Sequence, residues 1–132
     1  MRAAKLIGAV GLIVLSACSD AIGPDELPVC AGAVTLEVTP GATPGFIWTP
    51  ACRLSSLQIE AEGDGTVLWA ILTRGENALA PPVTYADPPA GAETLTPPAP
   101  LTSGTAYRVT VTRWVGPEGD DGQNIGAETF EP

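Results

Sequence analysis

Leu54-Ser55-Ser56-Leu57-Gln58-Ile59-Glu60-Ala61-Glu62-Gly63-Asp64-Gly65-Thr66-Val67-Leu68-Trp69-Ala70-Ile71-Leu72-Thr73 decides the fold. Leu57, Ile59 and Ala61 alternate with Ser56, Gln58 and Glu60, the period of two by which a strand buries one face and wets the other. Beyond Gly63-Asp64-Gly65 the alternation resumes with Val67, Trp69 and Ile71 on one face. Asp-Gly between two such runs signals a hairpin, because tight hairpin turns need residues that tolerate positive φ. A hairpin with one apolar face has to bury that face against a second layer.

The flanking sequence supplies more strands and no helical period after residue 30. Val34, Leu36 and Val38 alternate with Thr35, Glu37 and Thr39; Pro40–Gly45 is a turn; Phe46-Ile47-Trp48 is a short strand stopped by Pro50. Arg74-Gly75-Glu76-Asn77 ends the hairpin. Seven prolines between residues 78 and 100 confine that stretch to loop or sheet edge, since proline gives no ladder donor, with short pieces at Val83–Tyr85 and Glu93–Thr96. Ala106–Val115 is the longest clean strand, with Tyr107, Val109 and Val111 on one face. Gly116–Gly122 is a loop, and Ile125–Phe130 is a last strand. About seven short strands with frequent turns make an all-β sandwich.

The chain has 132 residues, net charge −9 and no histidine. Only Arg53, Arg74, Arg108 and Arg113 are basic beyond residue 17, against all 15 acidic residues. Such a charge balance repels nucleic acid and excludes it as a partner. Without histidine, the commonest general base and the commonest metal ligand are missing.

Arg2 and Lys5 precede an apolar run, Leu6–Leu15, then Ser16, Ala17 and Cys18. The plan is that of an export signal; ten apolar residues are too few for a membrane span, which takes roughly 20. Leu15-Ser16-Ala17-Cys18 resembles the bacterial lipobox. The resemblance implies a signal at 1–17, removed before Cys18, and a lipid on the Cys18 thiol. Ser19 follows, with Asp20 one place later, which by the family's sorting habit implies the outer membrane rather than the inner one. Residues 18–30 then form a lipidated tether, and 31–132 the sandwich domain. With Cys18 lipidated, Cys30 and Cys52 remain as a pair, and an oxidising compartment makes them a disulfide.

Leu101-Thr102-Ser103-Gly104-Thr105-Ala106-Tyr107-Arg108-Val109 resembles the fibronectin type III signature Leu-x-Pro-Gly-x-x-Tyr-x-Val, with Ser103 where proline is usual. The resemblance implies an immunoglobulin-like or fibronectin type III-like sandwich following the signal helix. In it Tyr107 makes a tyrosine corner and Trp48 is a core tryptophan of the second strand. No Arg-Gly-Asp tripeptide is present, so integrin-type adhesion does not come with it. A fold of this kind carries no function by itself.

Residues with chemistry are few. Ser55, Ser56 and Ser103 have no histidine to activate them and read as strand and loop residues. Glu60 and Glu62 could pair for acid–base work but read as a solvated face. Glu118, Asp120 and Asp121 in the Gly-rich loop 116–124 are candidate calcium ligands, without EF-hand spacing. Trp69 reads as core; Trp114, beside Arg113, is either a partner anchor or packed under a loop. The expected role is a non-enzymatic, cofactor-free module of the bacterial envelope. It meets the membrane through its lipid and an envelope protein through the loops 63–65, 74–77 and 116–124. The alternatives are a small-ligand, carbohydrate or calcium-binding domain, or an enzyme inhibitor.

Overall fold

Eight antiparallel strands among the described residues form two sheets: β1 (Thr35–Thr39), β2 (Gly45–Thr49), β3 (Ser56–Ala61), β4 (Val67–Leu72), β5 (Val83–Thr84), β6 (Glu93–Thr96), β7 (Tyr107–Val115) and β8 (Asp121–Phe130). They come from a computed structural model that describes residues 27–116 and 121–132. One sheet has the order β1-β2-β5 and the other β6-β4-β3-β7-β8. The chain is an all-β sandwich, with no helix among the described residues. The expected signal helix, signal peptide and Cys18 lie outside them.

The inner faces follow the alternation. Leu36, Phe46 and Trp48 of the small sheet meet Leu57, Ile59, Trp69, Ile71, Tyr107, Val109 and Val111 of the large one, all buried. Phe46 sits edge-on to Phe130 at 5.6 Å, and Trp69 edge-on to Tyr85 at 5.2 Å, the geometry that ring quadrupoles favour. Trp48 Nε1 donates to the Cys52 carbonyl at 2.8 Å, so the tryptophan fills the core with its polar edge paired. The backbone N–H of Thr102 donates to the Tyr107 hydroxyl at 2.8 Å, which ties the approach loop to the first residue of β7.

Three local features differ from the sequence reading. The turn of the β3–β4 hairpin takes in Glu62 as well as Gly63-Asp64-Gly65. Ala61 pairs with Thr66 around the loop 62–65, only Gly65 takes positive φ (72°), and the Asp64 carboxylate instead accepts from the Thr66 N–H. That bond holds the Asp64 carboxyl below the usual carboxylate range. Second, the register slips between Ile59 and Glu60, which face Trp69 and Val67. Leu68 is the extra residue of a bulge, and Val67 therefore shares the outer face of Glu60 rather than the core face of Trp69 and Ile71. Third, β8 begins at Asp121, four residues before the expected start, because β7 and β8 keep pairing to Val115↔Asp121. A bulge at Ile125, between the pairs Val111↔Gly126 and Thr112↔Asn124, turns that side chain inward.

The strand directions give the sandwich two poles. Cys30, Thr49, Ser56, Leu72, Val115 and Asp121 lie at one; Thr39, Gly45, Ala61, Tyr107 and Phe130 lie at the other. The Cys30–Cys52 disulfide, with Cα atoms 4.9 Å apart, closes the first pole. Docking of the chain starts before residue 31. Cys30 N–H donates to Arg53 O, Arg53 N–H to Pro28 O, Arg53 Nε to Leu27 O and Arg113 Nη1 to Cys30 O, all within 2.7–2.8 Å. Residues 27–30, read as part of a free tether, are thus bound to the domain by two arginines and a covalent bridge.

Tyr85 places a pH limit on this core. Its hydroxyl donates to Ala99 O at 2.6 Å, and burial pushes the phenol above its ordinary value. The folded protein then holds the Tyr85 proton at a pH where the unfolded chain releases it. This contribution to stability is complete below about pH 10 and is lost as pH rises through the folded value. The thermal midpoint is expected to fall on titration from about pH 9 to 11, and less steeply in Tyr85→Phe. Equal slopes in the two proteins would mean that other groups govern the alkaline limit.

Candidate functional site

The positions with candidate chemistry do not converge. Ser55 is buried and donates its hydroxyl to Thr112 O at 2.7 Å, a structural bond at the start of β3. Ser56 lies within β3, and Ser103 is exposed and donates to Pro132 O at 3.4 Å. Glu60 remains on the outer face, whereas Glu62 lies past the end of β3 and pairs with Arg108, Nε to Oε2 at 3.1 Å. The two carboxylates thus have different surroundings. Arg74 and Glu93 make a second surface pair, bidentate, which holds the Glu93 carboxyl down. Among the described residues no three of His, Cys, Asp and Glu gather as metal ligands. Asp121 is exposed on β8 opposite Val115, and Glu118 and Asp120 lie outside the described residues.

Trp114 packs under a loop. Its Nε1 donates to Thr73 O at 2.7 Å, and its backbone N–H and C=O are both held by the Asn77 amide at 2.8 and 3.1 Å. Thr73 in turn donates to Glu76 O. The 74–77 loop is therefore strapped to the end of β7. Nor do the three expected contact loops form one surface. The loop 63–65 is at the Tyr107 pole, whereas 74–77 and the two ends of the β7–β8 connection are at the disulfide pole.

A different feature stands out between the two sheets. Val34 N–H donates to Ile125 O at 2.9 Å, so the residue just before β1 is hydrogen-bonded to β8. Gly126 permits the approach: a Cβ there would lie 3.0 Å from Val34 Cγ2 and 3.1 Å from Val34 O. Past that point the two edges part. The gap is an open groove of about 470 Å³ lined by Leu36, Glu37, Val38, Thr39 and Ile47 on one side and Glu128, Thr129 and Phe130 on the other. Among the described residues Ile47 is one of three exposed large apolar side chains, at 41 %.

The backbone of β1 faces this groove with unused hydrogen-bonding groups. Bonding direction alternates along a strand. Val34 points its N–H at β8, so Leu36 and Val38 point the same way, while Thr35, Glu37 and Thr39 face their β2 partners Thr49, Ile47 and Gly45. By this alternation the N–H and C=O of Leu36 and Val38 point away from β2, the one strand that neighbours β1 in its sheet. The groove was not legible from alternation alone, because it exists only where two edges distant in sequence diverge.

Comparison of the chain with protein-family models, curated proteins and solved structures finds no match.

Proposed function

We propose that this chain is a lipid-anchored module of the bacterial envelope that binds another protein, on a fibronectin type III-like sandwich. The observation that carries protein binding is the open, apolar and acidic groove along the free edge of β1. Exposed strand edges are either blunted or used to pair with another chain. The anchor rests on the Leu15-Ser16-Ala17-Cys18 motif and the apolar run before it. The polarity of the fold is compatible with it. Residues 27–30 leave the sandwich at the disulfide pole, the end of the fold to which a lipid on Cys18 would be joined. Two or more acyl chains anchor stably where one does so only marginally.

Cells fed a radiolabelled or clickable fatty acid test the anchor. The wild-type chain is expected to carry the label and to sediment with membranes, and Cys18→Ser to lose both. A Cys18→Ser protein still labelled and still membrane-bound would dismiss the lipid reading. In the same cells, cross-linking followed by mass spectrometry is expected to join the wild-type protein reproducibly to one envelope protein. Absence of any such product would dismiss protein binding.

A further inference from the structure

We infer that the β1 edge takes an extended peptide segment of alternating apolar and cationic residues, added as a strand beside Leu36–Thr39. The inference rests on the protein-binding reading above and names the chemistry of the partner.

Three features specify the occupant. First, the Leu36 and Val38 backbone supplies two donors and two acceptors on one side of a strand, with the spacing that only another extended backbone matches. Second, the side chains around this edge have two characters. Leu36, Val38 and Phe130 turn toward the interior of the groove, and an added strand would lay alternate side chains against them. Its other side chains would lie on the outer face, beside Glu37. Third, both acids of the groove lack a cation. Glu37 is on the outer face of β1 and Glu128 on the rim of β8, both exposed, and the two ion pairs among the described residues involve neither. Lysine or arginine at the outward positions of the occupant would meet Glu37, and the Glu128 carboxylate adds to the negative field of the groove.

The same charges argue against a second copy of this chain. Two β1 edges side by side would bring their Glu37 carboxylates together on a protein whose net charge is −9, and like charges across a strand pair destabilise it. Pro40, directly after β1, limits the pairing segment to the five residues Thr35–Thr39. The edge therefore suits a short recognition segment rather than a long sheet.

The probe is an end-blocked hexapeptide of alternating lysine and valine, added to the full chain in detergent. Amide hydrogen exchange is read by NMR residue by residue. At saturating peptide, the Leu36 and Val38 amides are expected to exchange at least about tenfold more slowly. Alternate N-methylation of the peptide, which removes its donors and keeps its charge, is expected to abolish the protection. Glu37→Lys is expected to weaken binding about tenfold, and Glu37→Gln by less. Unchanged exchange at Leu36 and Val38 would overturn the inference. Equal protection by the N-methylated peptide would reduce the contact to charge attraction and overturn it too. Protection that rises with protein concentration, without peptide, would assign the edge to self-pairing instead. Should cells yield a cross-linked partner while the peptide leaves both amides unprotected, the β1 assignment falls and protein binding stands. Absence of both would remove the two together.

Discussion

Replacing Cys30 and Cys52 together by alanine is expected to lower the free energy of unfolding by about 3 kcal/mol. The bridge joins residues 22 apart, and its first effect is on the unfolded chain, which regains the freedom of that loop when the bond is absent. Alanine rather than serine keeps the comparison clean, because both positions are buried and a hydroxyl there would need a partner. In a domain of this size such a loss lowers the thermal midpoint by roughly 10–20 °C. The parallel measurement is urea unfolding of the native protein with and without reductant. The midpoint is expected to drop under reductant in the wild type and to stay put in the double alanine variant. An unchanged wild-type midpoint would mean that the hydrogen bonds of Cys30 and Arg53 already restrain the pole without the bond.

Trp69→Ala is expected to cost about 4 kcal/mol, and Trp69→Phe only about 1 kcal/mol. The contrast follows from one atom. Trp69 is wholly buried at the centre of β4, edge-on to Tyr85, and removing the indole empties the largest fully buried side chain of the core. Its Nε1, however, is buried without a hydrogen-bond partner, in contrast to Trp48 and Trp114, whose Nε1 atoms reach Cys52 O and Thr73 O. A buried unpaired donor costs about 1–3 kcal/mol in desolvation. Phenylalanine gives up part of the ring and the unpaired N–H together, so its two effects oppose. Urea midpoints at unchanged m-value provide the check. A phenylalanine variant as damaged as the alanine one would show that Nε1 is paired in solution, for instance through a buried water.

Much of this fold is legible in strict alternation. Leu57-Gln58-Ile59 and Tyr107-Arg108-Val109 assign their own inner faces, and both are inward as the pattern requires. The pair Cys30 and Cys52 also follows from counting, once Cys18 is set aside. Alternation fails where the ladder takes an extra residue. Val67 has the spacing of a core residue beside Trp69, and only the bulge at Leu68 moves it outward. In β8 a signal was present. Ile125 and Phe130 are an odd number of places apart, so both can be buried only if a residue between their ladders is skipped, which is what the Ile125 bulge does.

The groove is harder to read from sequence, and for a physical reason. Glu37 and Glu128 look like any solvated strand residue, and nothing local says that β1 and β8 are edges. That property belongs to the topology, since β1 precedes every other strand and β8 follows them all, each completing a different sheet. Proline content did mark the other two edges, β5 and β6, because the same residue that cannot donate to a ladder identifies where the ladder stops.

The covalent bridge at the pole where the chain leaves the sandwich also decides how the domain bears mechanical load. A pull along residues 27–29 loads the bonds of Leu27 and Pro28 to Arg53 and then Cys30. From there the disulfide passes it to Cys52, between β2 of one sheet and β3 of the other, so that β1 is bypassed. The tension divides between the two layers at a single point instead of peeling the edge strand from its neighbour. Stress on the tether would thus leave the pairing edge of β1 undistorted, and a domain tugged from its attachment would keep its groove in shape.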